Sequence, residues 1–149
     1  MRARERWAAR AVTLEAAALL IVARGLVRWV PFGRWRHGLG RPVTPETGDD
    51  TLRLARNLTA RRLARAVERG AARLPGESKC LPRAIALHWL LVQRGLGATL
   101  VIGVTPGARR GGLDDLHAWV VREGEVLIGA SAGPHVPLFA ATKAVRHGN

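Results

Sequence analysis

P-G-E-S-K-C-L-P-R-A-I-A-L-H-W-L-L-V-Q-R-G-L (residues 75–96) and D-D-L-H-A-W-V-V (residues 114–121) bound the stretch whose reading decides the fold. Leu74-Pro75-Gly76 breaks whatever precedes it. Ser78 is a favourable N-cap for a helix from Lys79 to Gln93, and Pro82 is tolerated in the first turn, where no helical acceptor is lost. Gly95 and Gly97 end that helix. Beyond them the period changes. Residues 98–104 (A-T-L-V-I-G-V) read as a buried strand. Residues 116–122 and 125–130 read as two more, joined at Glu123-Gly124, a good two-residue hairpin turn.

Upstream of this stretch the chain reads as helical. Residues 1–10 are basic and residues 11–30 strongly apolar, an order that imitates a signal peptide or a membrane span. Glu15 interrupts the apolar run and Arg24 ends it, whereas a span needs about 20 mainly apolar residues. Glu15 also sits where the apolar region of a signal peptide should begin. The better reading is an Ala/Leu-rich helix packed deep in the domain and stopped near Pro31. Arg24, Arg28, Trp29 and Trp35 also suit contact with a membrane surface. Residues 31–50, rich in Gly and Pro, read as a loop. A second helix follows over 51–73, with Leu54, Leu58, Leu63 and Val67 at helical spacing and an arginine face expected to be solvated. Residues 131–149 read as loop and tail.

The expected fold is therefore α+β. One domain covers 1–149, with a helical subregion at 1–74, a core at 75–140 and a tail at 141–149. The core has a central helix carrying Cys80 and a short antiparallel sheet carrying His117.

Composition narrows the function. The chain has 149 residues and a formal charge of +13, with 24 basic against 11 acidic residues. Its arginines do not interleave with aromatic residues as a base-stacking platform requires, so no nucleic-acid partner is expected. The one cysteine excludes an intramolecular disulfide and a multi-cysteine zinc site. No His/Cys/carboxylate spacing suits a metal, so neither metal nor cofactor is expected. A free thiol fits a reducing, cytoplasmic setting.

Free cysteines are often buried structural residues, and a histidine in an apolar strand is more often structural than catalytic. Position sets this pair apart. Cys80 falls in the first turn of its helix, where unpaired N–H groups and the positive end of the dipole favour a thiolate. Those N–H groups, that of Cys80 included, can also donate to an oxyanion. His117 supplies the imidazole that activates a thiol. His88 lies two turns along the helix, too far to touch the thiol, and His37, His135 and His147 lie in loops or the tail. A turn at 123–124 would pair residue 117 with about residue 130, so the group that orients the imidazole should come from 129–131. That segment holds no carboxylate. The candidates are Ser131, Asp115, a backbone carbonyl or water.

C-L-P-R-A-I-A-L-H-W-L-L-V-Q-R-G, A-T-L-V-I-G-V and H-A-W-V-V together resemble the transglutaminase-like cysteine peptidases of lasso-peptide maturation, the B-type leader peptidases. The likeness extends from about residue 7 to about residue 140. It implies a transglutaminase/papain-like core and a hydrolase that removes the leader from a ribosomally made precursor of an antibiotic-type peptide. Cys80 would be the nucleophile, and His117 the general base and later acid. It also implies the split form, which works with a separate leader-recognition protein and a lasso cyclase. The family's usual Asp, a dozen residues past the His, has no counterpart here. Two further functions fit the residues: acyl transfer to an amine through the same thioester, and a non-enzymatic basic interaction module.

Overall fold

The computed structural model describes residues 2–35, 39, 50–105, 116–131, 133 and 135–142, those at 50, 51 and 142 by their backbone alone. Asp114, Asp115, His37 and His147 lie outside the described residues. Among the described residues four helices precede one four-stranded antiparallel sheet. The helices are α1 (Arg2–Trp29), α2 (Phe32–Trp35), α3 (Asp50–Arg73) and α4 (Cys80–Gln93), and the strands are β1 (Thr99–Val104), β2 (Leu116–Arg122), β3 (Glu125–Ile128) and β4 (Val136–Thr142). The spatial order is β3-β2-β1-β4.

α4 organises the core because it is apolar nearly all round, as a fully buried helix must be. Leu81, Ile85, Leu87, Leu90 and Leu91 are all buried. It packs against α1 and α3 and against the sheet. Alternation along β2 buries Ala118, Val120 and Arg122 and leaves His117, Trp119 and Val121 half-buried. Leu100 and Ile102 of β1 join the buried set. His88, within α4, is also buried and is bonded through Nε2 to the Leu39 carbonyl at 3.0 Å, a structural role.

Several expectations are corrected. α1 is not packed deep: Thr13, Ala16, Leu20 and Ala23 face the core, while Trp7, Leu14, Ile21, Val22 and Trp29 are exposed. Leu54 and Leu58 of α3 are exposed too, and only Leu63 and Val67 of that set are buried. Ser78 does not cap α4. The N-cap is Lys79, without a side-chain cap bond, and helix geometry begins at Cys80 itself. Part of the expected tail is a strand: β4 pairs with β1 from Val104↔Val136 to Thr99↔Thr142. An irregularity at Ile102/Gly103 absorbs the Pro in V-P-L-F.

The arginine face of α3 is also only partly solvated. Arg61 forks onto Glu125, with Nε–Oε1 at 2.9 Å and Nη2–Oε2 at 2.8 Å. Buried Arg122 donates from Nε to Asn57 Oδ1 at 2.9 Å and from Nη1 to the Gly97 carbonyl. Asn57 in turn donates to Glu123 Oε2 at 2.9 Å. The β2–β3 hairpin is thus tied to α3. Its turn has positive φ at both Glu123 (48°) and Gly124 (80°), the type I′ geometry that a two-residue loop favours.

A pH dependence follows. The Asn57 amide, with Arg53 and Arg122 beside it, holds the Glu123 carboxyl below its ordinary value of 4.5. A depressed folded value means that the contribution is complete above 4.5 and is lost as pH falls below it. Urea midpoints measured between about pH 6 and pH 3 should therefore fall more steeply for the wild type than for Glu123→Gln. Parallel curves would remove Glu123 from the acid response.

Candidate active site

The chain just before α4 is held from α1. Arg24 donates from Nη1 to the Pro75 carbonyl at 2.9 Å, and from Nη2 to the Gly76 carbonyl at 3.2 Å and to Ser78 Oγ. The planar guanidinium can reach all three because its N–H groups form a fork. This clasp uses the Ser78 hydroxyl, so Ser78 anchors the approach to the helix instead of capping it. Cys80 follows as the first helical residue, half-buried, with its N–H outside the helical hydrogen-bond ladder. Its Sγ donates to the Leu116 carbonyl at 3.6 Å.

Arg24→Ala should lower stability by about 2 kcal/mol, since bonds from a charged donor contribute about 1.5–3 kcal/mol. In a chain of this size that is a fall in Tm of about 6 °C. Arg24→Lys, a point donor without the fork, should recover only part of it. If Arg24 positions Cys80, turnover should fall while KM holds, and equal loss in both variants with unchanged kcat would limit it to stability.

His117 follows Leu116, the residue whose carbonyl meets the Cys80 thiol, along β2. The imidazole Nε2 lies 2.5 Å from the Gly129 carbonyl oxygen. A carbonyl only accepts, so Nε2 carries the proton in the neutral ring and Nδ1 holds the lone pair. Gly129 has φ +80°, and a Cβ there would run into the Ala118 carbonyl and stand 3.0 Å from Trp119 Cα. The chain can turn this carbonyl towards His117 because residue 129 has no side chain. The ring is also packed on both neighbours. It stacks on His135 with centroids 4.5 Å apart and on Trp119 at 5.7 Å. Trp119 finds room over Gly103, where a Cβ would come within 2.9 Å of the indole.

Cys80 and His117 line one cavity of about 530 Å³ together with Glu68, Glu77, Arg83 and Gly129. Cys80 also lines a second cavity of about 560 Å³ with Val27, Leu81, Pro82 and Leu116. The thiol therefore stands between a polar recess on the His117 side and a more apolar one towards α1.

The orienting contact comes from the expected segment as the Gly129 carbonyl, the backbone option. Ser131 is exposed, and its Oγ accepts from the Gly133 N–H at 3.4 Å rather than meeting the ring. Asp115 lies outside the described residues. Two residues near the site were not anticipated: Arg24, read as the end of an apolar run, and His135, placed in a loop. His135 was within reach of sequence reasoning, since V-P-L-F-A-A-T reads as a strand once it is allowed to pair with β1. Among the described residues no three His, Cys, Asp or Glu are grouped to hold a metal, and no helix is long and apolar enough to cross a membrane.

The helix-borne cysteine and the strand-borne histidine line one cavity, and the family comparison gives the class of molecule. Residues 17–137 match the transglutaminase-like superfamily, and the chain belongs to that superfamily. Its members are in general cysteine peptidases or acyltransferases. Neither the curated proteins nor the solved structures yield a significant match.

Proposed function

We propose that the chain is a cysteine endopeptidase that cleaves the leader from a ribosomally synthesised lasso-peptide precursor. The observation that carries the chemistry is the shared cavity of Cys80, at the first position of α4, and His117, whose Nε2 is engaged by the Gly129 carbonyl. The specificity rests on the likeness of C-L-P-R-A and H-A-W-V to the leader peptidases.

In this reading rotation about the Cys80 Cα–Cβ bond carries the thiol from Leu116 O to His117 Nδ1, a tightening expected when substrate binds. Nδ1 takes the thiol proton, and the thiolate attacks the scissile carbonyl carbon. The Cys80 N–H donates to the resulting oxyanion. Collapse breaks the C–N bond, Nδ1–H protonates the leaving amine, and the leader remains as a thioester. Water, deprotonated by Nδ1, then releases the leader acid and restores the thiol. The Gly129 carbonyl fixes the tautomer and supports the imidazolium through a neutral dipole, where an aspartate would supply full charge.

Two measurements test it. Iodoacetamide should alkylate Cys80 at neutral pH at least about tenfold faster in the wild type than in His117→Ala. Incubation with precursor and the recognition protein should release leader and core peptides whose masses sum to precursor plus water. Product carrying an added amine would assign acyl transfer instead, and a thiol indifferent to His117 would overturn the pair.

A further inference from the structure

The cavity on the α1 side of Cys80 continues away from the thiol. Val27, Arg28, Leu81 and Leu116 line it and also line a further recess of about 640 Å³, so the two adjoin along those residues. Ligand sites occupy about 300–1,000 Å³, and this recess falls within that range. Its other walls are mainly aromatic, with Phe32, Trp35 and Phe139 among them. These rings hold one another edge-on, with centroids 4.8 Å apart for Phe32 and Trp35 and 5.3 Å for Phe32 and Phe139. Trp35 Nε1 donates to the Val30 carbonyl at 3.2 Å, which fixes the indole. Phe32 is nonetheless 37% exposed, and Leu138, which also lines the recess, is 63% exposed. A wall of apolar side chains already held in place needs little ordering when a ligand arrives.

We infer that this recess is the subsite for a large apolar side chain, aromatic or leucine-like, on the N-terminal side of the scissile bond. The inference rests on the Cys80–His117 reading, from which the direction of the substrate follows. The His117 imidazolium protonates the leaving amine, so the amine and the chain beyond it lie in the polar recess that His117 lines. A trans peptide bond carries its two halves in opposite directions, so the acyl half leaves the thiol on the other side. There stands the cavity of Cys80, Val27, Leu81 and Leu116, and beyond it the aromatic recess. Continuity with the nucleophile thus selects the substrate itself as the occupant. Leu81 and Leu116 separate the thiol from the recess by a single layer of side chains. An extended chain advances about 3.3 Å per residue, so the side chain that crosses this layer belongs to the second or third residue before the bond. Among the described residues Arg28 is the one charged side chain lining the recess. A cationic side chain would therefore meet no counter-ion there.

The test uses chloromethyl ketones of acetyl-Xaa-Ala-Gly and acetyl-Ala-Xaa-Gly, from which the Cys80 thiolate displaces chloride to form a thioether. Cys80 is the one cysteine of the chain, so alkylation of the full chain is read there by mass. In one of the two series Phe or Leu at Xaa should react at least about tenfold faster than Ala, the effect of burying part of a large apolar side chain. Lys should react no faster than Ala. Leu138→Glu should move the preference from Phe to Lys, and Leu138→Lys should move it from Phe to Glu. Leu138 is exposed, so both variants should keep the wild-type circular dichroism. Equal rates for Phe, Leu and Ala in both series overturn the subsite, as does a preference that neither substitution shifts. Failure of the catalytic reading gives a different result. Iodoacetamide has no side chain to place, so equal iodoacetamide rates in wild type and His117→Ala would end the catalytic pair, while the chloromethyl ketones still decide the subsite.

Discussion

Cys80→Ala is expected to abolish leader release, by at least about 10³-fold in single-turnover cleavage, since removing a covalent nucleophile leaves only binding and oxyanion stabilisation. The fold should survive. Cys80 is half-buried and its recorded bond is to a backbone carbonyl, so the loss in stability should be within about 1.5 kcal/mol. The variant should still bind precursor, which separates chemistry from recognition. Hydroxylamine added to the wild type should divert the thioester to a leader hydroxamate, with no such product from Cys80→Ala. Leader release by the alanine variant at wild-type rate would end the cysteine mechanism.

The second large effect is expected at a residue without a side chain. Gly129→Ala must hold a Cβ at φ +80° and drive it into the β2 backbone at Ala118 and Trp119. The two penalties together should cost about 3–4 kcal/mol, near the upper end for single substitutions, and lower Tm by about 10 °C. Gly124 provides the control. It has the same φ, but a Cβ there meets nothing within 4 Å, so Gly124→Ala should cost only backbone strain, about 1 kcal/mol. Because the Gly129 carbonyl orients His117, residual folded Gly129→Ala should also cleave more slowly than Gly124→Ala. Similar melting curves for the two variants would show that the chain at 129 relaxes and that the close approach carries no energy.

What the sequence made legible was set by local signals. The apolar run after Cys80, the strand 116–122 and the turn at Glu123-Gly124 are encoded by period and turn chemistry within a few residues, and they appear where expected. The placement of Cys80 at the start of a helix followed from Pro75-Gly76 and from the apolar period beyond, even though the cap was assigned to the wrong residue. Non-local features were not legible. Arg24 looked like the end of an apolar segment because its three acceptors lie 51 to 54 residues away. β4 was missed because V-P-L-F contains a proline, which argues against a strand unless the partner's irregularity is known. The segment 129–131 and a backbone carbonyl were both legible as candidates from the hairpin register, but the choice of Gly129 among them was not, because it depends on how the glycine turns its peptide.

The Arg24 clasp also bears on how the molecule comes into being. A fragment beginning at Pro75 would contain Cys80, His117, Gly129 and all four described strands, yet it would lack the Arg24 guanidinium that holds the segment leading into α4. Assembly of the reactive end of α4 thus waits on docking of α1, the element furthest from it in the chain. On a ribosome α1 emerges before α4 and can pack on α3, but the clasp cannot close until residues 75–78 follow. The approach to Cys80 thus depends on a residue made more than fifty positions earlier, so the order of synthesis and the order of assembly are coupled at this one guanidinium.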